Sequence, residues 1–481
     1  MHRTTSRQAV ELRQHVPDPP TGVARLRWWG PGLLWAMSAV GSGSVLFTPR
    51  VGSEYGYELL WLLWGVAVLM WVMIREAGRF AVATGRTLLD GFSTLPGPRN
   101  WALWVVLLPQ LVAAVAGVGG LSALVGSAFA SVLPGGLILW SLLLLLITTT
   151  VVVSGGYPAV SRVALVLALV LVAITVVAAA WVFQADGDPL AGVVPGVPSD
   201  LSVPFILPWV GTILAGSMGI VWFSYWTARR GYGGGMTSTE GQADTGSPES
   251  AEGRTARLRS WFGTLSNTAA VGVLTGTVII TAFLVLGAEL LAPAGIVPSG
   301  IDVADDLMLL LSEVWGTVGH WLMFTAIVVA LGGSVLANQD GWSRAFADIT
   351  MLLSGRAGRN AAAGGGEKAD ISWTERVTRW RPESMGTARA LKILFAVTFT
   401  SLIPALVIVV VQDPVVVMSA SGIVASVHTP FIVLTTLAVN RRIPDALRPS
   451  RFSIGLLGFA GLFYAAFAVL YFLNMLGLIG G

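Results

Sequence analysis

The sequence predicts an all-α integral membrane protein of about eleven transmembrane helices, and three observations carry that prediction. Hydrophobic residues fill 54% of the 481 positions, whereas Asp, Glu, Lys and Arg fill only 11%. Charged residues make up roughly a quarter of a soluble domain, so this chain has too few to clothe a water-facing surface. Apolar stretches of about 20 residues, the length that carries a helix across the hydrocarbon core, recur along the whole chain. The basic residues, finally, fall almost entirely between alternate stretches.

Taken in order, the stretches are 31–48, 57–80, 103–130, 136–153, 158–183, 203–228, 263–290, 318–343, 390–411, 415–438 and 453–478. A Gly-Pro turn at Gly155-Gly156-Tyr157-Pro158 divides the fourth from the fifth. Gln412-Asp413-Pro414 alone divides the ninth from the tenth. Residues 1–28 are polar, lack a short apolar core with a cleavage site, and read as a cytoplasmic tail. Residues 29–481 then form a single transmembrane domain. With the tail inside, the cytoplasmic loops receive the arginines of the tail, of 75–99, of 229–259, of 344–392 and of 441–451. Arg50 alone falls outside, beside acids such as Asp186, Asp200, Asp302, Asp305 and Asp413. A different helix count would scramble this separation. The C-terminus is accordingly extracytoplasmic, as expected of a multi-pass protein of the cell membrane.

The loops at about 231–258 and 355–375 are rich in Gly, Ser and Ala and read as flexible cytoplasmic linkers. Neither Gly-rich run follows a strand or ends in Gly-Lys-Ser/Thr, which argues against an ATP site. The absence of cysteine excludes disulfides and thiolate chemistry. No cofactor, nucleic-acid partner or mid-depth nucleophile–base pair emerges, so an enzyme is not expected. The partners implied are the lipid bilayer and a transported solute or small cation, moved by its own gradient or an ion gradient, protons included.

Two spans carry interruptions at mid-depth. The first contains Gly41-Ser42-Gly43-Ser44 and the sixth Gly216-Ser217-Met218-Gly219. They open two five-helix sets, 1–5 and 6–10, and matched interruptions in two halves point to an inverted-repeat transporter with a midplane site. Backbone groups freed there must face protein, water or a bound solute. These eight residues are therefore the candidate substrate site; helix packing by small residues is the alternative account of the glycines.

Intramembrane polar groups supply a candidate proton or polar pathway. His428 lies near mid-depth in the tenth span, with Ser421 and Ala425 on its face. Ser334 and Asn338 share a face of the eighth span, and Asp340 lies near its cytoplasmic end, one turn from Arg344. Glu76 in the second span has Arg75 and Arg79 beside it, so an ion pair competes with a pathway role. Trp28, Trp29, Trp61, Trp101 and Trp315 read as interfacial anchors.

The segment GPGLLWAMSAVGSGSVLFTPRVGSEYGYELLW, followed by FAVATGRTLLDGF, resembles the start of the Nramp family of proton-coupled divalent-metal transporters. Its landmarks are Gly30-Pro31-Gly32-Leu33-Leu34, Tyr55-Gly56-Tyr57 and Ala83-Thr84-Gly85-Arg86. Pro430-Phe431 in the tenth span supplies a further match. The resemblance implies eleven helices, the leucine-transporter-type inverted repeat plus one, and transport by alternating access. It also exposes departures. The family's metal-binding Asp-Pro-Gly-Asn corresponds to Gly41-Ser42-Gly43-Ser44, its Met-Pro-His to Met218-Gly219-Ile220, and its helix-10 glutamine to Gly422. First-row metals prefer imidazole, carboxylate or sulfur ligands, and carbonyls with hydroxyls do not replace these. Two solutes remain open: a divalent cation, held through its waters as Mg²⁺ often is, and an amino acid or other small carboxylate bound at a half-helix N-terminus.

Overall fold

Lipid offers no partner to a backbone N–H or C=O, so a chain this apolar must satisfy them within helices. The computed structural model describes residues 16–39, 41, 43–155, 170, 172–183, 191–234, 250–355, 373–379 and 385–478, and among these every regular element is helical. The elements are α1 (Gly30–Ala39), α2 (Thr48–Tyr55), α3 (Leu60–Thr84), α4 (Leu88–Ser93), α5 (Trp101–Val132), α6 (Gly136–Ser154) and α7 (Val172–Val182). They continue with α8 (Val203–Thr212), α9 (Gly216–Arg230), α10 (Ala251–Leu291), α11 (Val303–Ala326) and α12 (Gly332–Leu353). Last come α13 (Thr387–Val411), α14 (Pro414–Asn440) and α15 (Arg451–Met475). With α8–α9 and α11–α12 each counted as one span, nine helices among the described residues are long and apolar enough to cross a membrane. The first span is split into α1 and α2, and α7 is the described part of the fifth. Each predicted stretch thus has its helix. Much of the predicted linkers, 235–249 and 356–372, lies outside the described residues.

Local chemistry sets the helix ends. Gly85, left-handed at φ 70°, terminates α3. Thr87 and Asp90 form a capping box at the start of α4. Asp413 caps α14 by accepting from the Val415 and Val416 amides, with Pro414 as its first helical residue. The eighth span turns sharply at Trp315-Gly316, so its first arm folds back before the membrane-crossing arm begins.

Glycines set the closest helix contacts, as small residues do in membranes. A β-carbon on Gly32 would lie 2.1 Å from the Thr268 carbonyl oxygen, and one on Gly287 2.3 Å from that of Pro49, so both halves of the first span lie directly on α10. Gly211 and Gly422 likewise bring α8 and α14 into backbone contact.

Glu76 is fully buried and paired with Arg75 at 2.8 Å and Arg79 at 2.6 Å. Arg75 also donates to Ser453 Oγ of α15, and Asn440 of α14 donates to the Glu76 carbonyl. Glu76 therefore ties three helices together, and it is absent from the lining of the two spaces described below. The end of the tail packs on protein: Trp261 donates to the Pro17 carbonyl, and Trp28 sits edge-on to Tyr232 and Trp261. Trp28 is thus a packing residue. Burial pushes the Tyr232 phenol up to about 12.

Candidate functional site

Both matched spans lose their helical path at mid-length. In the first, α1 ends at Ala39, Gly41 lies in a turn, and a π-helical turn over Gly43–Phe47 leads into α2. Such turns free a carbonyl from its usual partner; here Thr48 Oγ1 donates to the Gly43 carbonyl at 2.6 Å, and Trp209 Nε1 donates to Thr48 Oγ1 at 3.0 Å. Ser42 lies outside the described residues. In the sixth span the break comes earlier than the sequence indicates. It occupies 213–216, with Leu214 left-handed at φ 58° and Gly216 at φ 59°, whereas Ser217, Met218 and Gly219 are already helical. A left-handed leucine is strained. It is held because its side chain fills the notch left by Gly276 of α10, where a β-carbon would lie 2.3 Å from Leu214 Cδ2.

Between the breaks lies a cavity with about 70 Å³ open to the centres of water molecules. Its walls are Gly41, Gly43, Gln110, Ala113, Leu121, Gly211, Thr212, Gly216, Ser217, Met218, Trp222, Asn338, Trp342, Ser421 and Ala425. Every lining polar side chain is neutral, and no group of three or more His, Asp or Glu that could hold a metal exists among the described residues. The α9 N-terminus at Gly216-Ser217 and the carbonyl end of α8 at Thr212 both reach this space.

A second, larger space of about 170 Å³, a vestibule, lies between α4, α9 and α12, at the end of the bundle that the basic residues mark. It carries the charges the cavity lacks: Asp340, Asp348, Arg229 and Arg344. Asp340 pairs with Arg344 at 2.5 Å and with Lys392 of α13. Trp222 and Asn338 border both spaces. Trp222 and Trp342 meet edge to face, ring centroids 5.5 Å apart, and form the floor between cavity and vestibule. Gly341 lets Trp222 lie against α12, since a β-carbon there would sit 2.9 Å from the indole. Toward the opposite end, Tyr57 donates to Glu289 at 2.6 Å, Ser53 to the Ile296 carbonyl at 2.6 Å, and Arg50 stacks over Phe205.

Of the residues singled out from sequence, Gly41, Gly43, Gly216, Ser217, Met218 and Asn338 line the cavity, as do Ser421 and Ala425, named beside His428. Ser44 is buried off the lining, and the Gly219 carbonyl accepts from Trp35 Nε1. Gly422 packs on Pro208. Ser334 donates to the Ala330 carbonyl. Asp340 belongs to the vestibule. His428 sits behind the wall, its Nδ1 3.0 Å from Gln110 Nε2. Sequence reading passed over Gln110, Thr212, Trp222 and Trp342. Gln110 alone left a signal, an amide directly after Pro109 in the otherwise apolar first half of α5.

The profile of the natural resistance-associated macrophage protein-like (Nramp) family matches residues 32–348. The divalent metal cation transporter MntH of Yersinia enterocolitica is 29% identical over 99 residues, which is 20% of this chain and 24% of that protein. The matched stretch is thus about a quarter of the relative's length. Among solved structures, the Eremococcus coleocola manganese transporter in complex with an aromatic bis-isothiourea substituted compound superimposes with a TM-score of 0.64 at 13% identity, covering 96% of this chain and 89% of that one. MhsT in complex with L-phenylalanine superimposes with a TM-score of 0.53 at 14% identity, covering 92% and 97%. At these identities the structural likeness concerns the fold.

Proposed function

This chain belongs to the Nramp family, and on that premise we propose that it is a secondary transporter carrying a hydrated divalent cation, Mg²⁺ foremost, by alternating access across the cell membrane. The observation that carries this reading is the neutral cavity between the two broken spans. A divalent ion that shed its waters there would find hydroxyls, amides and carbonyls but no carboxylate, and would keep most of its desolvation cost. An ion that keeps its waters needs only acceptors for outward-pointing O–H groups. Ser217, Ser421, Thr212 and the amides of Asn338 and Gln110 are of that kind.

Size agrees. Water oxygens lie about 2.1 Å from Mg²⁺, so their centres sweep a sphere of roughly 40 Å³. The cavity leaves about 70 Å³ to such centres. Soft or strongly dehydrating ions gain little here, since Met218 is the single soft side chain on the wall. The basic cytoplasmic loops support an orientation with the N-terminus inside and the C-terminus outside.

The test is calorimetric titration of the purified full-length chain with MgCl₂, MnCl₂ and hexaamminecobalt(III), whose inert ammine shell mimics a hydrated ion. We expect Mg²⁺ binding that hexaamminecobalt(III) displaces, and Mn²⁺ binding no tighter than Mg²⁺. Micromolar Mn²⁺ binding indifferent to hexaamminecobalt(III) would overturn the reading. So would a thermal shift produced by amino acids and by no cation.

A further inference from the structure

What the cavity can hold depends on where the hydrogens of its wall point, and most of them are already committed. Thr212 Oγ1 donates to the Pro208 carbonyl at 2.8 Å, and Ser421 Oγ donates to the Ala113 carbonyl at 3.0 Å. A hydroxyl has one hydrogen and two lone pairs, so each turns only lone pairs toward the cavity. Gln110 is spent in the same way. The Trp342 indole, a donor only, donates to Gln110 Oε1 at 3.2 Å and so fixes the amide, whose hydrogens go to Ser217 Oγ and His428 Nδ1, each at 3.0 Å. The Trp222 N–H is buried within the wall. Ser217 keeps its hydrogen and Asn338 its amide, yet both also accept, so no side chain on the lining is left that only donates. Gly211 and Gly422 touch where α8 crosses α14, and Thr212 and Ser421, next to them in sequence, flank that one crossing. The amides that open α9 are the counterweight, and the carbonyls that close α8 offset them.

We propose that the cavity selects its guest by outward-pointing hydrogens, and that it therefore also takes small primary ammonium ions, methylammonium being the simplest with an apolar end. An ammonium group has three donors and no acceptor. It answers the lone pairs of Thr212 and Ser421 with charge-assisted hydrogen bonds, and its third hydrogen goes to the Asn338 carbonyl or to the end of α8. The methyl group rests against Met218, Trp222 and Trp342, the apolar and polarisable part of the lining. The Born cost of leaving water rises with the square of the charge, so a monovalent ion pays about a quarter of what a divalent ion of equal radius pays. Methylammonium can thus enter bare where Mg²⁺ keeps its waters. A carboxylate, an acceptor only, would set lone pair against lone pair at Thr212, Ser421 and Gln110. The inference rests on this cavity being the transport site proposed above, and not on Mg²⁺ being its cargo.

Calorimetric titration of the purified full-length chain at neutral pH with methylammonium, tetramethylammonium and acetate tests this. We expect methylammonium to bind and to be displaced by hexaamminecobalt(III), which shares its outward N–H groups. Tetramethylammonium, of the same charge but without an N–H, should bind at least roughly tenfold more weakly, and acetate not at all. Thr212→Val and Ser421→Ala should each weaken methylammonium roughly tenfold or more, the scale of one hydrogen bond from a charged donor, and Thr212→Ser should retain it. Thr325→Val removes a hydroxyl that is likewise committed to a backbone carbonyl but lies outside the lining, and should change nothing. Variants are compared where the parent's melting temperature is retained; the comparison of guests on the parent needs no variant. Methylammonium that fails to bind overturns the inference, as does tetramethylammonium that binds equally well, or an affinity indifferent to both hydroxyls. Methylammonium binding that depends on Thr212 and Ser421, without any binding of Mg²⁺, would refute the proposed cargo and leave the selection rule standing. Binding of Mg²⁺ without methylammonium would do the reverse.

Discussion

Ser217→Asp places a carboxylate in a cavity that has none, and the structure predicts what it does to ion selection. Ser217 opens α9, where an acidic side chain gains about 0.3–1 kcal/mol from the helix dipole. Its neighbour Gln110 already donates toward this position at 3.0 Å, and that donor suits a carboxylate equally well. At a separation of about 4 Å and an effective dielectric near 20, a +2 ion and a −1 carboxylate attract by roughly 8 kcal/mol before desolvation. Burying the carboxylate costs several kcal/mol. A net gain of about 3–4 kcal/mol remains, roughly a hundredfold to a thousandfold in Kd. Mn²⁺, which accepts inner-sphere carboxylate, should gain most. Hexaamminecobalt(III), which cannot give up its ligands, should lose its ability to compete with Mn²⁺. Calorimetry on the parent and the variant measures both effects. The reasoning fails if the parent already binds Mn²⁺ at micromolar concentration and the variant binds it no better.

Glu76→Gln should cost about 3–5 kcal/mol in stability by leaving Arg75 and Arg79 buried without their carboxylate, while the pH dependence of transport stays unchanged; thermal melting and proteoliposome uptake separate the two. Gly422→Val should prevent assembly of the α8–α14 crossing, since a β-carbon there meets the Pro208 carbonyl at 2.4 Å. Gly263→Ala, with nothing within 4 Å, should leave stability unchanged or raise it by up to about 1 kcal/mol. Detergent size-exclusion profiles compare that pair. Tyr232→Phe removes the hydroxyl that meets Thr268 Oγ1 at 2.7 Å and donates to the Trp28 carbonyl, so residues 16–28 should exchange amide hydrogens faster, by the factor that about 1 kcal/mol allows.

The spans and their order are legible in the sequence because lipid imposes a length and a composition on each, and the basic residues mark alternate ends. The first break is legible for a related reason: Gly41 and Gly43 act locally, by tolerating a turn and a close approach to Thr212. The second break is displaced from Gly216–Gly219 to 213–216 because Leu214 takes the strained conformation. What stabilises it is a notch at Gly276, 62 positions away in the chain, and no local pattern announces such a contact. Gly422 illustrates the reverse error. Its correspondence to a liganding position of the family places it in the site, yet with no side chain it serves the helix crossing and leaves the lining to Ser421 and Ala425. Gln110 escaped notice because its importance lies in what converges on it from α9, α12 and α14.

The distribution of close contacts also indicates which parts separate most easily. Where Gly32 meets Thr268, Gly43 meets Thr212, Gly52 meets Leu284, Gly211 meets Gly422 and Gly120 meets Met418, backbone lies directly on backbone. These contacts weld α1 and α2 to α10, α8 to α14, and α14 to α5. Prying them apart would forfeit dispersion contacts along whole helix faces. The boundary between α9 and α12 is of another kind: two indoles, one glycine that makes room for them, a hydrogen bond relayed through Gln110 and one between Tyr225 and Arg344. The vestibule and its charged groups already lie beside it. Separation there exposes two rings and gives up these two polar links, a few kcal/mol in all. That is the range a bound ion commands, so opening of the cavity is expected at the α9–α12 boundary and not at a glycine-welded one.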